Sequence, residues 1–221
     1  MAEVMTRLMG GLGNQMFQYA AGHALARHLA VPLVIDRTFL DRRGPDVTWT
    51  PRAFELGAFQ APVTFATAGQ VRRARKELDD PFHRRLKRIV PFLFTDRCHV
   101  ERSKTFDPAF FQLTAPVCIE GYWQSELYFK QYATELRERL FVPKAPPSQA
   151  NSELLDAIGS CTSASIHVRR GDYVTLPDAN RYHGVCSVDY YERNARWLVE
   201  ERGVERFFIF SDDADWVQAN I

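Results

Sequence analysis

An imidazole, two guanidiniums and a carboxylate stand close together in Ile166-His167-Val168-Arg169-Arg170-Gly171-Asp172-Tyr173. Alternation along the run up to Val168 reads as a strand, with His167 and Arg169 on one face and Ile166 and Val168 on the other. Gly171 lets the chain turn at the strand's C-terminal end, where α/β sheets hold ligands. An arginine fork there suits a pair of phosphate oxygens, and Asp172 is placed to fix a guanidinium. A surface arginine pair beside a capping acid explains a bare Arg-Arg. His167, Gly171 and Asp172 at this spacing favour an anion site.

A second group is Gly10-Gly11-Leu12-Gly13-Asn14-Gln15. Glycines let a backbone approach a ligand, and a helix start behind them favours an anion. Gly11 and Gly13, with Asp36 after the next strand, fit part of a dinucleotide fingerprint whose third glycine is missing. A tight strand-to-helix turn is the plain alternative. Asn14 and Gln15 tilt the reading, because adjacent amides suit a polar ligand better than packing.

A third group is Phe210-Ser211-Asp212-Asp213-Ala214-Asp215, again at a strand end. Carboxylates there accept hydrogen bonds from ribose hydroxyls or a base N–H. Asp213 and Asp215 also spell D-x-D, a metal-holding pattern in some glycosyltransferases. A helix start explains both acids too, and that reading is preferred for Asp215. His183, in a loop before a helix, reads equally well as a plain loop residue or a ligand group.

The elements that must carry these groups form two series. Thr6 to Met9 reads as a strand, Asn14 to about Ala30 as a helix, and Leu33-Val34-Ile35 as a strand ending in Asp36, a βαβ unit with a parallel pair. Residues 41–70 read as irregular, Val117–Tyr122 as a strand and Ser125–Leu140 as a helix. Pro143, Pro146 and Pro147 mark a linker. After it come helix Asn151–Ile158, strand Ala164–Val168, helix Asp189–Glu201, strand Arg206–Phe210 and a helix starting behind Ser211–Asp213. The fold class is therefore α/β, with domains 1–145 and 146–221. The second series stops half-way through a parallel sheet, so that domain is expected to lack its C-terminal part. Ile166, Val168, Phe208 and Phe210 are expected to be poorly covered. Residues 1–221 alone are expected to fold loosely beyond about residue 150 and to transfer nothing.

The composition is that of an ordinary globular protein, 46% apolar and 25% charged, with a net charge of +1. It argues against a disordered chain, a disulfide miniprotein and a dedicated nucleic-acid binder. Residues 70–102 hold ten Lys or Arg against five Asp or Glu. A solvated helical insertion is the preferred reading, and contact with anionic lipid headgroups or an acidic partner is the alternative. No run approaches the ~20 apolar residues of a membrane span, nor does the N-terminus resemble a signal peptide. The expected location is the cytoplasm, with peripheral contact at the inner face of the plasma membrane left open. Cys98, Cys118, Cys161 and Cys186 lack metal or redox spacing and read as free buried thiols.

Five stretches together resemble the bacterial α-1,2-fucosyltransferases: GGLGNQMFQYAAGHALA at 10–26, GYWQSELYF at 121–129, HVRRGDYV at 167–174, YHGVCSVDYY at 182–191 and FFIFSDDADWV at 207–217. The resemblance implies a GT-B architecture of two Rossmann-like domains facing a cleft, acceptor on the first and donor on the second. It implies transfer of fucose from GDP-β-L-fucose to the 2-hydroxyl of a terminal galactose, with inversion and without metal or further cofactor. Carried over, Arg169 matches the arginine that neutralises the donor pyrophosphate, with His167 and Asp172 as its neighbours. Asn14 matches an amide facing the donor, and Asp212 and Asp213 an acidic pair near the nucleoside. Gly11, Gly13, Gln15, Arg170, His183 and Ser211 complete the expected donor contacts. The family's later donor-phosphate segment has no counterpart in these residues. Two other readings stay open: a nicotinamide oxidoreductase, and a module that grips GDP or glycan without turnover.

Overall fold

Val4-Met5-Thr6-Arg7 is buried along its whole length, the mark of a strand with neighbours on both edges and cover on both faces. The computed structural model describes residues 2–43, 51–79, 85, 97–175, 181 and 184–221, apart from the side chains of 77–79 and 172. The chain divides into two compact units, Met1–Ala145 and Pro146–Ile221.

In the first unit, β1 (Val4–Arg7), β2 (Leu33–Asp36), β3 (Cys98–Val100) and β4 (Val117–Glu120) form a parallel sheet in the order β2-β1-β4-β3. Between β1 and β2 runs α1 (Leu12–His28), which buries Tyr19, Ala20, Ala21, Ala24 and Leu25. Small residues let it lie close to the sheet. A Cβ on Gly22 would stand 3.0 Å from both Leu33 and Thr6. In one core cluster with Ala21 and Leu25 of α1 and Val4, Val117 and Ile119 of the sheet, Phe110, Trp123 and Tyr128 pack ring against ring, with centroids 4.8 to 5.3 Å apart. Each such fully buried ring contributes roughly 1.5–3 kcal/mol.

Several expectations shift. β1 starts at Val4 and stops before Leu8, because the Met9 N–H bonds to Gln18 Oε1 at 2.9 Å instead of to a strand. α1 begins at Leu12, two residues earlier than read. The helix expected over 125–140 is broken into short 3-10 turns, α3 (Ala133–Glu135) and a π turn at Leu136–Leu140. Burial of Tyr128 in the aromatic cluster, with Phe129 at φ −140°, stops a regular helix there. Within the basic stretch, α2 (Ala68–Asp79) is helical as expected, but Cys98–Val100 is strand β3. The rest of that stretch, Arg85 and Arg97–Arg102 apart, lies outside the described residues. Among the described residues, no helix is long and apolar enough to cross a membrane.

In the second unit, β5 (Ser163–Val168) and β6 (Arg206–Ser211) pair in parallel, with Val168 opposite Ser211. Around them lie α4 (Gln149–Gly159), α5 (Gly171–Thr175), α6 (Val188–Arg202) and α7 (Ala214–Asn220). Ser187 caps α6 through the Tyr190 N–H, and Gly203 closes it at φ 63°, a left-handed conformation that favours glycine. Val168 is fully buried, against expectation, whereas Phe210 is 46% exposed, in line with it. The cysteines are only partly as read: Cys118 is buried and Cys186 exposed.

Candidate functional site

The ends of β5 and β6 bring the first and third sequence groups together. Because Val168 pairs with Ser211, the residues just beyond, Arg169–Gly171 and Asp212–Asp213, face one another. Asp212 Oδ1 accepts from the N–H of Arg170 at 2.8 Å and of Gly171 at 3.2 Å. Its Oδ2 lies 3.1 Å from Arg169 Nη1. One carboxylate thus joins two backbone amides to a guanidinium. Partial burial pushes the Asp212 carboxyl up, but the two amides and the Arg169 guanidinium outweigh it and hold the group below its usual range.

Gly171 makes this approach feasible. A Cβ there would stand 2.7 Å from Asp212 Oδ2 and 3.2 Å from its Cγ. Next to this pair, Arg170 Nε bonds Asp213 Oδ2 at 3.1 Å. Asp213 also caps α7, accepting from the Trp216 N–H at 3.2 Å. The Ser211 hydroxyl shapes the turn by accepting from the Asp213 N–H at 2.9 Å. An aromatic ring backs each guanidinium: Tyr173 lies 5.3 Å from Arg169, and Trp216 lies 4.0 Å from Arg170.

Two fixed cations at a strand end are suited to a group that carries or develops negative charge. The carboxylates that hold them are Asp212 and Asp213, a role the sequence reading gave to Asp172, whose side chain lies outside the described residues. The D-x-D pattern divides: Asp213 caps α7, and Asp215 is an exposed acid in its first turn. Both acids stand at a helix start, as read, with the cap itself at Asp213, two residues before Asp215. Among the described residues, no group of three or more His, Cys, Asp or Glu side chains could hold a metal ion. His167 is exposed on β5, on the face away from Val168. His183 lies outside the described residues.

The second group, Gly10–Gln15, sits at the C-terminal end of β1. Gly10 has φ 73°, and a Cβ on it would collide with the Asn14 side chain, 2.4 Å from its Nδ2. Gly11 is the N-cap of α1, and at neither Gly11 nor Gly13 would a Cβ meet anything within 4 Å. Asn14 Oδ1 accepts from Gln124 Nε2 at 2.7 Å, which ties the glycine turn to the segment after β4.

Gln15 departs from its expected role. It is fully buried. Its Nε2 donates to Gly10 O at 3.0 Å and Ala53 O at 2.8 Å, and its Oε1 accepts from the Glu55 N–H at 3.0 Å. Both amide hydrogens are committed, so Gln15 fastens a neighbouring loop to the turn and has no donor left for a ligand. Sequence reasoning missed Gln124, Tyr173 and Trp216. Their signal was present, since each lies inside a stretch that carries the family resemblance.

The glycosyl transferase family 11 model matches residues 95–221, a span that holds both arginines and both facing acids. The chain belongs to glycosyl transferase family 11. It is 34% identical to an alpha-1,2-colitosyltransferase of Escherichia coli, over 98% of this chain and 71% of that protein. It is 32% identical to the O-antigen biosynthesis glycosyltransferase WbnK of Escherichia coli, over 96% of this chain and 73% of that one. Among solved structures, fucosyltransferase NodZ from Bradyrhizobium matches 99% of this chain and 74% of its own at 12% identity and a TM-score of 0.39. A NodZ alpha-1,6-fucosyltransferase soaked with GDP-fucose matches at 13% identity, a TM-score of 0.40, and 100% and 75% coverage.

Membership of family 11 makes the protein a glycosyltransferase with an α/β fold of parallel sheets. It sets aside the nicotinamide oxidoreductase reading. The glycine turn at 10–15 lies outside the residues matched by the family model, but the pairwise likeness to the colitosyltransferase extends over 98% of the chain.

Proposed function

We propose that this family 11 glycosyltransferase moves L-fucose from GDP-β-L-fucose to the 2-hydroxyl of a terminal galactose, with inversion. In this reading the fold is of the GT-B kind. Residues 1–145 serve the acceptor and 146–221 the donor. One observation carries it: Arg169, held at 3.1 Å by Asp212, stands at the joint C-terminal end of two parallel strands. A GDP leaving group gains charge on its β-phosphate as the sugar–oxygen bond breaks. A pre-positioned guanidinium stabilises that charge without rearranging during the reaction. Asp212 sets the direction of the fork, and the amides of Arg170 and Gly171 lock Asp212. Arg170 acts beside it, anchored to Asp213 and Trp216. His167 and Asp172 belong to the same donor site. Asn14, Gly11 and Gly13 are assigned to donor contacts as well, and Ser211, Asp213 and His183 to contacts with the nucleoside. The cation is protein-borne, so the reaction needs no metal.

The relatives' names support a second donor. One is an alpha-1,2-colitosyltransferase, and the other acts in O-antigen biosynthesis. Colitose in place of fucose, and a growing O-antigen unit as acceptor, therefore form the second reading. Incubating the protein with lactose and either GDP-fucose or the corresponding activated colitose, then solving the product linkage by NMR, separates the two. An α-1,2-fucosyl product supports the first reading. Transfer of colitose alone supports the second, and transfer of neither sugar contradicts both.

A further inference from the structure

The C-terminal end of the first sheet carries a cavity that the donor reading does not use. It lies beyond β3, has a volume of about 460 Å³, and is lined by His99, Glu101, Phe106, Asp107, Trp123 and Tyr128 among others. Its walls are built and held. Trp123 is 1% exposed, and the His99 ring stacks on it with centroids 5.9 Å apart and planes at 23°. The Phe106 ring packs on Tyr128 at 4.9 Å. Tyr128 Oη accepts from the Asp107 N–H at 3.0 Å, and Asp107 Oδ1 accepts from the Ala109 N–H at 2.9 Å. Glu101 Oε2 accepts from the N–H groups of Tyr122 at 2.7 Å and Trp123 at 3.1 Å. Gly121 makes room for this last contact, since a Cβ there would lie 2.4 Å from Glu101 Cβ.

The lining selects a ligand class. Flat aromatic faces meet the apolar face of a ring, while fixed carboxylates and a hydroxyl-bearing rim bind hydroxyl groups. Burial, with the Arg102 guanidinium, lowers the His99 pKa against the pull of nearby Asp107, which favours the neutral ring. Glu101 and Asp107 oppose an anion, and Arg102 on the rim offsets a cation. Trp123 Nε1 is buried without a hydrogen-bond partner, and Trp123 takes φ 54°, an unusual backbone for a large residue. The volume falls within the range of small-ligand sites.

We propose that this cavity is a subsite for an uncharged sugar ring of the acceptor glycan, at or next to its terminal galactose. The proposal rests on the glycosyltransferase reading above, with the first unit on the acceptor side. His99 and Asp107 are the residues that test it. His99→Ala removes the stacked ring, and Asp107→Asn keeps the helix-capping oxygen while removing the charge.

The experiment pairs initial rates on lactose with saturation-transfer NMR of methyl β-D-galactopyranoside, using wild type and both variants. The expected result is an acceptor KM raised about tenfold or more in each variant, with GDP affinity within about twofold of wild type, the signature of lost acceptor binding alone. Unchanged acceptor KM in both variants overturns the subsite and leaves the transferase reading intact. If wild type transfers no sugar, that reading fails, and the NMR arm decides the cavity by itself. Saturation transfer that is present in wild type and lost in both variants upholds a sugar site. Transfer retained in the variants, or absent from wild type, overturns it.

Discussion

Asp212 reaches from the end of β6 to Arg169 at the end of β5, 3.1 Å from Oδ2 to Nη1, while its other oxygen takes the amides of Arg170 and Gly171. A single acid therefore fixes both the backbone and the cation of the loop that follows β5. Burial of these groups is partial, with 34% of the Arg169 side chain and 30% of the Asp212 side chain exposed. The contact is thus a device for orientation more than a source of stability.

Replacement of the two arginines separates their roles. Arg169→Lys swaps a fork for a point charge and is expected to lower kcat about 100-fold with the melting temperature little changed. Arg170→Lys removes a guanidinium that stacks 4.0 Å from Trp216. Its expected effect falls on stability, about 0.5–2 kcal/mol, with a smaller loss of rate. Steady-state kinetics beside thermal melts check both.

Gly171→Ala places a Cβ 2.7 Å from Asp212 Oδ2. Asp212 is short and has little room to yield, so its carboxylate is driven off the loop. The expected loss of transfer matches that of Asp212→Asn, and the double variant is no worse than either single one. Kinetics of the three variants provide this cycle. The pH dependence has a definite sign. Asp212 has a depressed pKa in the folded protein, so its contribution is present above the unfolded value of about 3.9 and is lost as pH falls through the depressed value. A carbon-detected NMR titration of the Asp212 carboxyl reads this directly.

Gln15 and Asn14 are neighbours with opposite expected behaviour. Gln15→Ala strands Gly10 O, Ala53 O and the Glu55 N–H around a fully buried site. It should cost about 2–4 kcal/mol in denaturant unfolding. Asn14→Ala breaks an exposed bond to Gln124 and should cost under ~1 kcal/mol, while reducing transfer.

These contrasts show what the sequence made legible. The βαβ start, β4, both strands of the second unit and the helix start behind Ser211–Asp213 follow from alternation, glycines and short polar residues. The Arg-Arg-Gly-Asp and Ser-Asp-Asp groups were readable as ligand-type chemistry at strand ends. Their pairing was not, because which carboxylate meets which guanidinium depends on the β5–β6 register. Gln15 looked like a ligand amide because sequence does not distinguish an amide aimed at solvent from one aimed at Ala53. The helix read over 125–140 failed because a core of Phe110, Trp123 and Tyr128 overrode local propensity. Strand β3 was hidden by the basic stretch that contains it.

Chelation tests the cation directly. With Asp213 engaged by the α7 cap and Arg170, transfer is expected to persist in EDTA and Asp215→Asn to be nearly silent. Activity abolished by EDTA and restored by Mn²⁺ contradicts a protein-borne cation.

The central claim is that Arg169, aimed by Asp212, binds the donor diphosphate. Calorimetric titration of GDP and of guanosine into wild type and Arg169→Lys tests it most directly, because only GDP carries the phosphates. The account predicts that the substitution weakens GDP by about tenfold or more and leaves guanosine unaffected. Equal GDP affinity in the two proteins, or an equal loss for guanosine, would contradict it.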